Sequence, residues 1–109
     1  MEMQLSPTVD RLAALAQPHR LAVFRLLVVA GPEGRAAGDI AAAIGLPASS
    51  LSFHLAHLKR VGLVGAERRG RSLVYAADFA VMRGLVDFLT ENCCSGSACA
   101  PNIDERNAA

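Results

Sequence analysis

Three thiols stand within seven residues near the C-terminus, Cys93-Cys94-Ser95-Gly96-Ser97-Ala98-Cys99, and the chain has no other cysteine. Neighbouring cysteines rarely bridge one another, because disulfide geometry needs Cβ vectors that adjacent residues hardly achieve. Both can turn toward one soft ion, and the Ser-Gly-Ser-Ala spacer lets Cys99 return to the same centre. Soft thiolates select soft or thiophilic centres. Three sulfurs without a fourth ligand suit the three-bond pyramidal chemistry of arsenic(III) or antimony(III), whereas zinc wants a tetrahedral set. Cadmium and lead stay open as ligands. Other uses also stay open: a redox switch, a thiol enzyme or metalloid carrier, or three inert tail thiols. The enzyme reading lacks an activating base. No His lies nearby in sequence, and the Cys pair follows a helix C-terminal end, whose negative partial charge disfavours a thiolate. The expectation is a non-enzyme with no constitutive cofactor.

A second group of side chains suits phosphates and base edges. The whole chain is close to neutral, with 11 basic residues against 10 acidic ones and a formal charge of +1. The charge is unevenly spread. Residues 1–48 sum to zero, and residues 76–109 to −3. Residues 49–75 carry Lys59, Arg60, Arg68, Arg69 and Arg71 against Glu67 alone, a local +4. Phosphate neutralisation is local, so the near-neutral total does not argue against nucleic acid.

These residues need elements to position them. Thr8 to Leu15 reads as a short helix capped by Thr8, with Asp10 near its positive end. Pro18 suits the first position of a second helix, whose Leu21, Phe24, Leu27 and Val28 form a buried face. Gly31-Pro32-Glu33-Gly34 breaks it. A third helix covers Ala37 to Ile44 and ends at Gly45. Leu46-Pro47 makes the corner to a fourth helix, running from Ala48-Ser49 to Val61, with Leu51, Leu55 and Leu58 facing inward. Two short helices joined by a tight Gly-containing turn are a helix-turn-helix pattern. Leu63–Arg68 and Ser72–Tyr75 then read as two strands around an Arg69-Gly70-Arg71 turn. A last helix spans Phe79 to Glu91, with an apolar stripe of Phe79, Met82, Leu85, Val86 and Leu89.

With the leucines of the fourth helix inward, Ser49, Phe53, Ala56, His57 and Arg60 point outward, flanked by Ser50, Ser52 and His54. Small hydroxyl residues let a helix sink into the major groove, and Phe53 suits a thymine methyl. Ser49 and Ser50 also fit a capping role, and His54 a half-buried structural one. The hairpin tip Arg68-Arg69-Gly70-Arg71 is a short cationic finger for phosphates or a minor groove. The expected DNA-contacting set is therefore Ser49, Ser50, Ser52, Phe53, His54, His57, Arg60, Arg68, Arg69 and Arg71.

The length of 109 residues fits one domain. Residues 1–92 are expected to form a mainly helical winged helix-turn-helix in the order α-α-α-α-β-β-α. Residues 93–109 are expected to form a flexible tail carrying the thiols. The first and last helices invite a homodimer that buries their apolar faces together. No run approaches the ~18 uncharged apolar residues of a membrane span, since Leu21–Ala30 is interrupted by Arg25. No secretion signal is seen, and three clustered cysteines do not suit a secreted disulfide scaffold, so the expected compartment is the cytoplasm.

The chain resembles the ArsR/SmtB family of bacterial winged-helix repressors across about residues 8–91. The matching residues are Leu15-Ala16-Gln17-Pro18-His19-Arg20-Leu21, Asp39-Ile40-Ala41 with Gly45-Leu46, and Ser49-Ser50-Leu51-Ser52-Phe53-His54-Leu55-Ala56-His57-Leu58. Gly62-Leu63-Val64 and the hairpin Arg69-Gly70-Arg71-Ser72-Leu73-Val74-Tyr75 complete the match. The resemblance implies a homodimer on pseudo-palindromic double-stranded operator DNA, released by a metal ion or metalloid. One family sensor site is a Cys-x-Cys-Asp-Leu segment on the third helix. Its matching positions here are Ala36, Gly38, Asp39 and Ile40, so it has no thiolates. Another uses His and carboxylates on the last helix, and His19, His54 and His57 all lie elsewhere. Some arsenic-responsive members carry a C-terminal Cys-Cys…Cys site. That makes Cys93, Cys94 and Cys99 the expected metal ligands, with arsenic(III) or antimony(III) as inducer.

Overall fold

The computed structural model describes residues 5–96. The helices are α1 (Leu5–Leu15), α2 (Pro18–Ala30), α3 (Ala37–Ile44), α4 (Ala48–Arg60) and α5 (Phe79–Thr90). The strands are β1 (Arg35–Ala36), β2 (Val64–Arg69) and β3 (Ser72–Ala77), and a tight turn with left-handed Cys94 and Ser95 spans Cys93–Gly96. This is the expected mainly helical winged helix-turn-helix, with one added strand. Gln17 caps α2 through its side-chain oxygen, which accepts from Arg20 N at 2.8 Å, and Pro18 occupies the first turn. Asp78 caps α5 in the same way, accepting from Val81 N at 3.0 Å. Gly45 ends α3 in a left-handed conformation, as expected.

The core joins α2, α3, α4 and the sheet. Val23, Phe24 and Leu27 of α2 meet Ile40 of α3, Leu51, Leu55 and Leu58 of α4, and Leu63, Val64 and Ala77 around the strands. Ala14 of α1 completes it. The three leucines of α4 are each no more than 1% exposed. Their burial sets the roll of the helix and decides which side chains face solvent.

The sheet is antiparallel in the order β1-β3-β2. Arg35 pairs with Tyr75 and Ala36 with Val74 in the short β1 arm. Gly34 permits this approach. Its φ is +72°, and a Cβ there would meet Tyr75 O at 2.3 Å, so a side chain would force the strand away. The hairpin turn is Gly70-Arg71, because Arg69 pairs with Ser72. Gly70 has φ +62°, which suits the first central position of a two-residue type II′ turn.

Four expectations change. Helix α1 begins at Leu5, so Thr8 is not its cap but a buried residue inside it, 1% exposed. Pro7 sits in the first turn, where its missing N–H costs nothing, and the helix extends backward through it. Asp10 consequently lies outside the first turn. Strand β1 was not expected, since two residues carry no periodicity. Leu21 was placed on the buried face of α2 but is 42% exposed, while Val23 takes the buried position. On α5 only Leu85 of the apolar stripe is buried, and Val86 and Leu89 are exposed.

Candidate nucleic-acid interface

Helix α4 presents three stripes. Leu51, Leu55 and Leu58 are buried, and Ser50, His54 and His57 are half-buried. Ser49, Ser52, Phe53, Ala56, Lys59 and Arg60 are exposed. The last set is the open face available to a groove. Phe53 is 69% exposed, which leaves its ring available on this face. The N-cap position of α4 is Pro47, with no side-chain cap bond, so the serines do not serve as the cap. His57, Lys59 and Arg60 occupy the last turn, where cations complement the helix dipole.

His57 was expected on the open face. The structure turns it toward α1, where it lines a cleft of about 580 Å³ with Ser6, Asp10, Arg11 and Arg60, among others. Lys59 takes the exposed place and was not among the expected contacts. His54 leans on the N-terminal end of α2. Its ring centroid is 5.6 Å from that of His19 and 5.7 Å, edge-on, from that of Phe53. Its Nδ1 is buried without a hydrogen-bond partner among the described residues. His54 thus matches the half-buried structural reading, and it buttresses the exposed Phe53. Burial pushes the His54 imidazole below its ordinary value, and the nearby Arg20 and His19 push it further. Burial also lowers His57, followed by Arg20, Arg60 and His54. Both rings are therefore predominantly uncharged at neutral pH.

The wing carries Arg68, Arg69 and Arg71, all exposed. They are not equivalent. Arg69 Nη1 donates to Glu33 O at 3.2 Å, and Arg69 Nη2 lies 3.4 Å from Glu67 Oε1. Arg69 therefore ties the wing to the loop between α2 and β1. Arg68 and Arg71 are the wing cations not engaged by these bonds. Sequence spacing cannot show this, because Glu33 is 36 positions away.

At the end of α5 the backbone turns left-handed at Asn92, Cys94 and Ser95, with φ of 58°, 62° and 53°. Cys93 and Cys94 are exposed, and their sulfurs are 3.3 Å apart. Cys99, the third expected ligand, lies outside the described residues. Among the described residues no three His, Cys, Asp or Glu side chains are grouped to hold a metal ion. Among the same residues no single helix is long and apolar enough to cross a membrane.

Apolar residues also remain uncovered. Leu5, Val9 and Leu12 form an exposed stripe on α1 at helical spacing. A groove of about 380 Å³ between α2 and α5 is lined by Leu21, Phe24, Val28, Met82, Leu85 and Val86, among others.

Known proteins agree with this geometry. A helix-turn-helix domain family model matches residues 15–64, which run from the end of α1 into β2. The HTH-type transcriptional regulator YgaV of Escherichia coli is 29% identical over 93 residues, 84% of this chain and 94% of that protein. The structure of HlyU from Vibrio cholerae superposes with a TM-score of 0.68 at 26% identity, covering 86% of this chain and 99% of that one. HlyU is named a transcriptional activator. A crystal structure of a Mycobacterium bovis fragment, described as a possible transcriptional regulatory protein, is 31% identical. It covers 80% of this chain and 94% of that one, with a TM-score of 0.60. In solution the same fragment is described as a homodimeric winged helix-turn-helix DNA-binding domain of a possible ArsR-family regulator.

Proposed function

Since the chain belongs to the ArsR-like family of winged helix-turn-helix transcriptional regulators, we propose that it is a homodimeric repressor released from operator DNA by arsenic(III) or antimony(III). The observation that carries the DNA-binding part is the position of the +4 segment. Its cations stand on the exposed face of α4 and on the wing, the two elements that reach a groove. Ser49, Ser52 and Phe53 contact base edges in the major groove, Lys59 and Arg60 hold flanking phosphates, and Arg68 and Arg71 take phosphates or the minor groove. The exposed stripe Leu5, Val9, Leu12 on α1, together with Val86 and Leu89 on α5, is the surface that a second copy covers.

The thiols supply the inducer site. Taking a thiolate bond of about 2.3 Å, two sulfurs 3.3 Å apart subtend about 90° at a shared centre. That angle suits a pyramidal centre better than the wider tetrahedral one. Three thiols exchange for the three hydroxyls of arsenous acid and release three waters, and Cys99 closes the ring. Closure strains the end of α5, which belongs to the dimer surface, and the two reading heads shift. Half-sites stand near ~34 Å apart, so a small rotation breaks register. A coupling of ~1–3 kcal/mol weakens binding roughly 5- to 150-fold.

A Cys93/Cys94/Cys99→Ser variant tests the reading. It is expected to hold operator DNA with near wild-type affinity and to ignore arsenite. Release of that variant by arsenite removes the thiols as the sensor. A redox-responsive regulator of the same fold is the second reading, favoured by the exposure of Cys93 and Cys94. Release by peroxide but not by arsenite selects it.

A further inference from the structure

Helix α1 has two sides with different tasks. Leu5, Val9 and Leu12 face outward, 66%, 53% and 37% exposed. Arg11 faces the other way, and its Nε donates to Val61 O at 2.8 Å, a bond between residues 50 positions apart. Val61 is the C-terminal cap of α4. The guanidinium also lies over the next residue, since a Cβ on Gly62 would come 3.3 Å from Arg11 Nη2. A cation suits this place, because the last carbonyls of α4 form the negative end of its dipole.

The bond sits at the edge of an open cleft. Beside it, α1 and the end of α4 are separated by the cleft that His57, Arg60 and Asp10 line. Ala14 packs α1 into the core with the α4 leucines, and beside the open cleft the Arg11–Val61 bond is the polar contact that ties α1 to the end of α4. Helix α4 has 13 residues, a length of about 20 Å. A tilt of about 10° at Val61 moves its Ser49 end by about 3.5 Å, close to the ~3.4 Å rise of one base pair.

We propose that Arg11 is a positioning residue that transmits the geometry of the dimer, through α1, to the reading helix α4. This rests on the reading of the chain as a DNA-binding dimer. Arg11 touches no DNA itself. It fixes the angle at which each α4 leaves the dimer surface and thereby the spacing of half-sites that the dimer accepts.

The experiment uses full-length wild type, Arg11→Ala, Arg11→Lys and Gly62→Ala. The probe is a palindromic duplex recovered by wild-type selection from a random-sequence pool. It is remade with one base pair inserted or removed at its centre, and also as a single half-site. Fluorescence anisotropy gives affinity, sedimentation gives the dimer constant, and hydrogen exchange reads the amides of Val61, Gly62 and Leu63. For the wild type, one inserted base pair is expected to cost about tenfold or more in affinity. For Arg11→Ala the half-site affinity and dimer constant stay within about twofold, and the insertion penalty falls to roughly threefold or less. Arg11→Lys, which retains one donor, restores part of the penalty. Gly62→Ala reaches the same junction from the other side, crowding the guanidinium and also straining a backbone at φ +86°; it is expected to lower the penalty and serves if Arg11→Ala folds poorly. A wild-type spacing profile in both Arg11→Ala and Gly62→Ala overturns the proposal. If wild-type protein selects no DNA, the operator reading fails by itself. Exchange then decides the latch: faster exchange at the three amides in Arg11→Ala supports it, and unchanged protection overturns it.

Discussion

Replacing Arg71 by Ala should flatten the salt dependence of DNA binding, and replacing Arg69 should not. Each phosphate contact contributes about 0.9 to the slope of log affinity against log salt. A dimer has two wings, so Arg71→Ala removes two contacts and about 1.8 from the slope. Raising salt from about 50 to about 200 mM is a fourfold change, so the two contacts are worth about twelvefold in affinity loss over that range. The drop measured for Arg71→Ala between those salts should be about twelvefold smaller than for wild type. Arg68→Ala should behave alike, since that side chain is similarly exposed. Arg69 is different because Glu33 O and the Glu67 carboxylate already hold its guanidinium. Its loss should weaken binding at every salt concentration by loosening the wing, with a slope close to wild type. Anisotropy titrations at five or six salt concentrations give the slopes. A parallel line for Arg71→Ala, or a greater slope change for Arg69→Ala than for Arg71→Ala, refutes the division of the wing into contacts and strut.

Adjacent regions of α4 should respond in opposite ways to truncation. Phe53→Ala should leave thermal stability within about 0.5 kcal/mol and weaken DNA binding, because the ring is 69% exposed. Leu55→Ala should cost about 3 kcal/mol or more in denaturant unfolding, because its side chain is 1% exposed in the core. Asp78→Ala should cost about 1 kcal/mol and speed amide exchange in the first turn of α5, since the carboxylate accepts from Val81 N. Stability should also fall on acidification. His54 and His57 bind protons more weakly in the fold than in the unfolded chain, where a His titrates near ~6.5. The unfolded chain takes up protons first as the pH drops through that value, so stability present above it is lost below it. Melting curves between about pH 7.5 and 5 should show this loss, and a His54→Gln/His57→Gln variant should show less of it.

The helix-turn-helix was legible because its signals are local. The leucine spacing in α4, the Gly45 stop and the Pro47 corner lie within a few residues of one another, and the α3 bounds match the expectation. The hairpin was legible for the same reason. Contacts between distant segments were not. Strand β1 exists because Gly34 lets two residues reach β3, and a two-residue strand has no period of its own. Thr8 looked like a cap because nothing before it marks a helix, yet α1 extends through Pro7 and buries it. On α4 a wheel placed His57 outward and did not single out Lys59. The packing of α1 against the end of α4 decides between them, and no pattern within α4 reports it. The roles of Arg11 and Arg69 depend on carbonyls 50 and 36 positions away. The thiol cluster was visible as composition, and the structure adds the approach of the first two sulfurs.

The most direct measurement is a titration of the wild-type protein on its selected duplex with arsenite, antimonite, cadmium, lead, zinc and peroxide in parallel. Arsenite or antimonite should release the DNA at about one equivalent per protomer, the stoichiometry of one pyramidal three-sulfur site, and zinc should not. A complex that survives saturating arsenite and antimonite contradicts the inducer assignment, and a wild-type protein that selects no duplex contradicts the DNA-binding assignment beneath it.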